Sequence, residues 1–585
     1  MGFTLAYTKN DAGAFTFSCD LGERDCPSPI TYKDDGRALI AGEFFGITAE
    51  QLFVSGWEND PSVLNTSCSA ICIVAFDAEG CCFASDNTGR ELLYYYYSPQ
   101  AFILSDDFWN IIKIIEPTFD DVDGNVVREM ISTGCGVPAD HSLPVKNMYW
   151  LRPNTIVNFS ASTGELSVSQ YEQIQRSGEI KDIDEAIESM DESMHYMAES
   201  LMALFPDAVF GLGLSGGLDS RVALHYLRKH DADIECFNIC TARPHKALLA
   251  HSVKKSRALA KASDVSYKEV EWLPTSFCEK KDRLLREQPV GTGGHYTNLY
   301  KYEKEGLPKF DYLVTAGQGI GPYIVGVSAE RDSDSMTRDD LIAWGLHLSH
   351  ASAQPYPFTE HSLRKQLSKM GLSGIDIDKG RQYELWNKVV DQETYSRVRA
   401  KVAAFIDADL EKGMRPADIT LDFRTSTLGA IGRNGAYESL LNSYRNFTIY
   451  TPFLVKEGLK WDIPLVEERR ILKELIKRKI PEFASVGEEE VGSVGSGGKV
   501  KTLFNKAEFV IRGSGIMAEE WHRNDPIVRA AFKADFGNNC QWFYEIVPVA
   551  RDYEGIWKMS AARKNSIWEM KRLIDCLERK DYQNF

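Results

Sequence analysis

No apolar run in this chain reaches the roughly 20 residues that a membrane-spanning helix needs, so no membrane partner is expected for its 585 residues. The opening Met1–Gly2–Phe3–Thr4–Leu5–Ala6–Tyr7 has no basic start and no long apolar stretch, so a secretory leader is not expected. Ala6 stands where N-myristoylation would require Ser or Thr. Positive charge is scarce: 67 Lys and Arg face 84 Asp and Glu, a formal net charge of −17. Phosphate backbones are bound by basic stripes, so no nucleic-acid partner is expected. The short clusters Lys254–Lys255 and Lys477–Arg478–Lys479 read as solvated helix faces. None of the 12 cysteines forms a C-x-x-C pair, and no histidines at zinc-finger spacing follow Cys68 and Cys72, so a zinc ribbon or redox motif is not supported. Several thiols sit in apolar runs, as small buried hydrophobes do, and the expected compartment is a reducing cytoplasm. No G-x-x-x-x-G-K-[ST] occurs, which excludes a Walker A loop.

What remains is an ordinary globular composition, 43% hydrophobic and 26% charged, in a chain long enough for two domains or more. Residues up to about 175 read mainly as strands. The apolar run 69–76 ends at Asp77, and 80–85 follows as the second arm of a hairpin. Tyr94–Tyr95–Tyr96–Tyr97 reads as a strand with alternating buried and exposed rings, and 101–105 as its neighbour; such spacing predicts packed sheets. Ile183, Ile187, Met190, Met194, Met197, Leu201 and Leu204 recur at alternating spacings of four and three, which predicts a helix with one apolar stripe, ended by Pro206. From 208 onward strands (208–214, 234–240, 267–272, 312–315) alternate with helices (220–229, 245–262), the pattern of a doubly wound parallel sheet with ligands at its strand carboxyl ends. Beyond residue 335 the pattern is mostly helical, with a Gly/Ser/Glu-rich interruption at 487–498 that reads as a mobile loop.

The first turn of that sheet carries the chemistry. Leu214, Ser215, Gly216, Gly217, Leu218, Asp219 and Ser220 lie between a strand and a helix. Unpaired N–H groups and the helix dipole favour an anion at such a start. Gly216 and Gly217 let the backbone curl around a phosphate, Ser215 and Ser220 add hydroxyls, and Asp219 is placed to hold Mg²⁺ against it.

S-G-G-L-D-S resembles the pyrophosphate loop of the ATP pyrophosphatases, and the whole chain resembles the asparagine synthetase family (class B, PP-loop type). The nearest relatives by plan are those without glutaminase activity, the β-lactam synthetases and lasso-peptide cyclases. Asp86–Asn87–Thr88–Gly89 followed by Tyr94 fits the D-x-x-G turn and tyrosine strand of that family's amidotransferase sandwich. The resemblance implies an α/β fold with two parts. Residues 1–176 would form a degenerate class II glutamine amidotransferase-like (Ntn-type) β-sandwich. Residues 177–585 would form a doubly wound ATP-pyrophosphatase domain with a helical C-terminal part. It implies ATP and Mg²⁺ as cofactors, Asp219 as metal ligand, and Ile239 and Cys240 beside the adenine.

The family's second motif, S-G-E-G-x-D-E, aligns with Thr315–Ala316–Gly317–Gln318–Gly319–Ile320–Gly321–Pro322, so Ala316, Gly317 and Gln318 join the expected ATP site. Gly321 and Pro322 replace the acidic pair, which weakens charge compensation; Glu330, Asp332 and Asp334 follow, and read as solvated loop charges. Tyr450–Thr451–Pro452–Phe453–Leu454–Val455 keeps only P-F-L of the family's E-x-R-x-P-F-L-D. Lys499 and Lys501 are the candidates for the family's late catalytic lysine. Gly2 stands where glutamine-hydrolysing relatives expose a cysteine, and Cys19 is too far along to replace it. The implied reaction is AMP-forming activation of a small-molecule or peptide carboxylate, followed by amide formation without glutaminase activity; the alternative is a nucleotide-binding or scaffold protein with impaired catalysis. A homodimer is compatible with the chain, and its oligomeric state is not readable from the residues.

Overall fold

In a computed structural model, the structure describes residues 2–21, 30–33, 36–42, 47–66, 71–89, 91, 93–133, 138–241, 250–272, 277–287, 289–290, 306–315, 334–349, 388–423, 425–426, 445–448, 452–466, 469–484, 486, 526–559 and 561–585. It is a mixed α/β protein with two antiparallel sheets, one parallel sheet and packed helices.

The first 170 residues hold β1 (Thr4–Lys9), β2 (Phe15–Asp20), β3 (Ile30–Tyr32), β4 (Ala38–Ala41), β5 (Cys72–Asp77), β6 (Gly80–Ser85), β7 (Tyr94–Tyr97), β8 (Ala101–Ser105), β9 (Met148–Trp150), β10 (Thr155–Ser160) and β11 (Leu166–Gln170). One sheet runs β2-β1-β8-β7-β9 and the other β11-β10-β6-β5-β4-β3. Alternate residues of both sheets meet between them: Leu5, Tyr7, Val74, Phe83, Phe102 and Phe159 share one buried cluster. The β5–β6 turn is closed by Asp77, whose Oδ1 accepts from Glu79 N at 2.7 Å and Gly80 N at 3.2 Å. Gly80 is required there by close approach, because a Cβ would lie 2.1 Å from the Phe159 carbonyl oxygen.

The tyrosine strand departs from the expected alternation. Tyr94 and Tyr95 are both buried, because both faces of this sheet are covered. Tyr95 stacks on Tyr149 and meets Phe83 inside the sandwich, whereas Tyr94 meets Phe108 on the opposite face. That face is covered by α2 (Phe108–Ile115) and α3 (Gly124–Ser132), while α1 (Ala49–Val54) packs outside the other sheet. Helices Pro526–Gly537, Gln541–Ile546 and Ala561–Arg579 return to α2 and α3. There Trp109 stacks on Tyr582 at 6.1 Å, and Arg128 Nε donates to the Ile546 carbonyl at 2.8 Å.

α4 (Ile183–Leu204) is the striped helix, opened by Asp182 accepting from the Asp184 and Glu185 amides. Ile187, Met190, Met194, Met197 and Leu201 are buried against the parallel sheet. That sheet contains β12 (Val209–Gly213), β13 (Asp233–Thr241), β14 (Ser266–Trp272), β15 (Tyr312–Thr315) and β16 (Arg445–Thr448), in the order β14-β13-β12-β15-β16 with every pair parallel. α5 (Leu218–Lys229), α6 (Ala250–Ser263) and α7 (Phe277–Glu287) connect or flank its strands. The sequence pattern placed no strand at 445–448: Arg-Asn-Phe-Thr carries no periodic signal, and pairing with β15 alone makes it one. The basic cluster 477–479 is a second difference. Its residues face acids rather than solvent alone, with Lys479 Nζ 2.7 Å from Glu188 and 3.0 Å from Asp191 of α4. Among the described residues no helix is long and apolar enough to cross a membrane.

Candidate functional site

β12 ends at Gly213, opposite Phe237 of the parallel β13, which runs on to Thr241 beside β14. The ladder continues one residue further, as Leu214 N donates to the Phe237 carbonyl at 2.8 Å. Asn238 Nδ2 donates to the Leu214 carbonyl and to Ser256 Oγ, each at 2.8 Å, and so ties the strand end to α6. The chain then turns at Ser215 and Gly216 and enters α5 at Gly217, which caps the 12-residue helix without a side-chain hydrogen bond. A helix start of this kind leaves N–H groups for an anion.

The seven loop residues divide into buried anchors and part-exposed groups. Leu214 and Leu218 are fully buried in the cluster under the sheet, so they offer the site only backbone. Ser215 Oγ accepts from Gly217 N at 3.1 Å. Ser220 is buried, and its hydroxyl donates inward, to the Ser215 carbonyl at 3.1 Å and the Gly217 carbonyl at 3.3 Å. The hydroxyl expected to face a phosphate therefore braces the loop. Asp219, in the first turn of α5, is part-exposed, with its Oδ2 3.8 Å from Arg469 NH1.

Arg469 escaped the sequence reading. It precedes helix Arg470–Lys479 in the left-handed conformation, φ 60°. Nothing in its local pattern links it to a loop so far away in the chain. It brings a guanidinium to the face of the loop that carries Asp219. A single carboxylate fits Mg²⁺, which binds through one or two carboxylates and keeps its waters.

The other expected residues fall as follows. Ile239 and Cys240 lie in the last part of β13, paired with Val270 and Glu271 of β14. They therefore share with the loop the carboxyl edge of the sheet, where ligands of such folds sit. Ala316, Gly317 and Gln318 come directly after β15, next to β12, but they lie outside the described residues, as do Lys499, Lys501, Glu330, Asp332 and the 487–498 interruption. Pro452 begins a short helix, Pro452–Gly458.

Two other places hold groups with potential chemistry. A cavity of ≈ 810 Å³ at the β5–β6 turn is lined by Lys33, Arg37, Trp57, Glu58 and Cys82 among others, and by no loop residue. Burial and Glu58 push the Cys82 thiol up to about 12, and burial likewise raises Cys19 and Cys81, so none of these offers a thiolate. Cys540, Asp575 and Glu578 are the one group with metal-ligand spacing among the described residues. Arg579 Nε at 3.0 Å and Lys571 Nζ at 3.7 Å already balance Asp575, and Glu578 accepts from Gln541 N at 3.2 Å, so the group reads as an ion-paired helix corner.

No protein-family model matches the chain, and no curated protein matches it. A solved structure to which it is similar is glutamine phosphoribosylpyrophosphate amidotransferase from B. subtilis complexed with ADP and GMP, at 12% identity and a TM-score of 0.16. The match covers 42% of this chain and 61% of that one.

Proposed function

We propose that this chain is an ATP-dependent, AMP-forming amide ligase or cyclase of the asparagine-synthetase plan, without glutaminase activity. The observation that carries the reading is S-G-G-L-D-S at the turn from a parallel strand into α5, whose start has no side-chain cap.

In this reading the triphosphate would lie across the start of α5. The Leu218 N–H, and the Gly217 N–H once it exchanges Ser215 Oγ for a phosphate oxygen, bind the departing pyrophosphate, and the α5 dipole favours its charge. Asp219 would hold Mg²⁺, which supplies charge neutralisation to the phosphates. Arg469 adds a cation on the same face. The end of β13, with Ile239 and Cys240, would face the adenine, and Ala316, Gly317 and Gln318 would close the other side. Lys499 or Lys501 would supply the late lysine. A carboxylate of a small molecule or peptide attacks the α-phosphorus, pyrophosphate leaves, and an amine then displaces AMP from the acyl carbon. Gly2, with no nucleophile, is the ground for leaving glutamine hydrolysis out of the reading.

The replacement of the family's acidic pair by Gly321 and Pro322 favours a second reading, a nucleotide-binding or scaffold protein with impaired catalysis. Pyrophosphate release from Mg-ATP against a panel of carboxylates separates the two. Release with any member supports the ligase, whereas Mg-ATP binding without release supports the scaffold. Absence of Mg-ATP binding by calorimetry overturns both.

A further inference from the structure

Arg221 is fully buried in the first turns of α5, directly behind the loop. Its NH2 donates to the Gly216 carbonyl at 2.9 Å. Its NH1 donates to the Phe483 carbonyl at 3.2 Å and to the Val486 carbonyl. One rigid guanidinium therefore joins the loop to the chain that leaves helix Pro481–Ala484. A buried arginine carries a large desolvation cost, which is offset where its planar fork is filled by acceptors.

The consequence for the loop follows from peptide geometry. The Gly216–Gly217 peptide is planar and trans, so its carbonyl and its N–H point in opposite directions. With the Gly216 oxygen held by Arg221, the Gly217 N–H is turned away from Arg221, toward Ser215 Oγ, to which it donates and which lies 3.2 Å from Ser220 Oγ. Without that hold, two adjacent glycines give the peptide unusual freedom to flip. The guanidinium also stays charged at any working pH, and its charge acts at short range through low-dielectric surroundings.

We infer that Arg221 is a positioning residue for the phosphate loop: it aims the Gly217 N–H away from the guanidinium and couples that aim to the turn at Phe483 and Val486. The inference rests on the reading of this loop as a nucleotide phosphate site. Arg221 touches no phosphate itself and acts through the Gly216 carbonyl. Any movement of the 483–486 turn is thereby felt at the loop.

Two measurements on the full chain test this with Arg221→Lys and Arg221→Met. Arg221→Lys keeps the charge but loses the fork, and Arg221→Met keeps apolar bulk alone. Hydrogen exchange of the ligand-free protein reads the tether without any nucleotide. Peptides covering the loop and those covering 480–486 are expected to exchange faster together in both variants, while the β5–β6 hairpin is unchanged. Titration with Mg-ATP reads the positioning role. Its Kd is expected to rise about 10- to 100-fold in Arg221→Met, the worth of a charge-assisted hydrogen bond, and less in Arg221→Lys. In pyrophosphate release, KM should move more than kcat. If Arg221→Met does not fold, Arg221→Lys carries both measurements. Wild-type exchange at the loop in a folded variant overturns the tether, and wild-type Kd in a variant with loosened exchange overturns the positioning role. If the wild-type chain binds no Mg-ATP, the proposed function fails and the positioning role with it, while the exchange result still decides the tether.

Discussion

Lys229 Nζ lies 3.0 Å from His195 Nε2, and an ammonium can only donate. Nε2 therefore accepts, the proton of His195 sits on Nδ1, and Nδ1–H donates to His230 Nε2 at 2.8 Å. This chain of bonds closes the end of α5 remote from the S-G-G-L-D-S loop, with Asp191, Tyr226, His225 and Lys479 packed around it. Burial first, then the Lys229 charge, holds His195 below its ordinary 6.5. Burial also lowers His225, against the pull of Glu482. Both rings are thus neutral in the fold, and their contribution is complete above pH 6.5 and lost as pH falls through that value toward the lower folded ones. The melting temperature should drop between pH 8 and pH 5, and His195→Gln should make that drop shallower. Parallel melting curves of the two proteins would remove His195 from the account.

Asp409 behaves in the opposite sense. It is buried near Asp422, and burial together with the Asp422 charge raises it from 3.8 to about 6, against Lys412. Its Oδ2 has no hydrogen-bond partner among the described residues. A carboxyl with a raised folded pKa costs nothing below its unfolded value, a growing amount between the two, and the full amount above pH 6. Asp409→Asn should therefore stabilise the protein by about 2 kcal/mol above neutrality. Near pH 3.5 the gain should vanish. Urea unfolding at the two pH values checks both halves, and a gain that is equal at both would mean that charge is not its source.

Asp219 and Arg469 share the open face of the loop. Asp219→Asn should abolish any ATP-dependent pyrophosphate release, because it is the one loop carboxylate left for Mg²⁺. Arg469→Ala should raise the KM for ATP about tenfold, the worth of one solvent-accessible charge contact to phosphate. It should leave the melting temperature nearly unchanged, since Arg469 is exposed at 40%. Full activity in Asp219→Asn contradicts the metal assignment.

Gly217 separates folding from binding. A Cβ there would lie 3.0 Å from Ser215 Oγ and would push that hydroxyl aside. As a cap substitution, Gly217→Ala should cost roughly 0.5–1 kcal/mol of stability. Its effect on Mg-ATP affinity should be larger, about tenfold or more, because the proposed phosphate site includes the crowded hydroxyl and the Gly217 N–H. Calorimetry beside a melting curve compares the two, and unchanged affinity would place the phosphates elsewhere.

Much of this architecture was legible from residue order. The β5–β6 hairpin, β15 and the α4 stripe as far as Leu201 appear where the pattern put them, because alternation and 3.6-residue periodicity are local; Leu204, at the helix end, is exposed instead. The strand–loop–helix at 209–229 was readable for the same reason, since an apolar strand run, a Gly/Ser turn and a helical run follow one another in the sequence. Contacts between distant segments were not readable. β16 is a strand because β15 offers it an edge, and both Tyr94 and Tyr95 are buried because α2 covers one face of their sheet and the second sheet the other. Ser220 turned inward, and Arg221 and Arg469 came to the loop, through contacts with Gly216, Phe483, Val486 and Asp219. Periodicity records which side of an element is buried, but it holds no record of what is packed there. That is why the loop could be found from its own letters, while the charges arranged around it emerged only once the chain was folded.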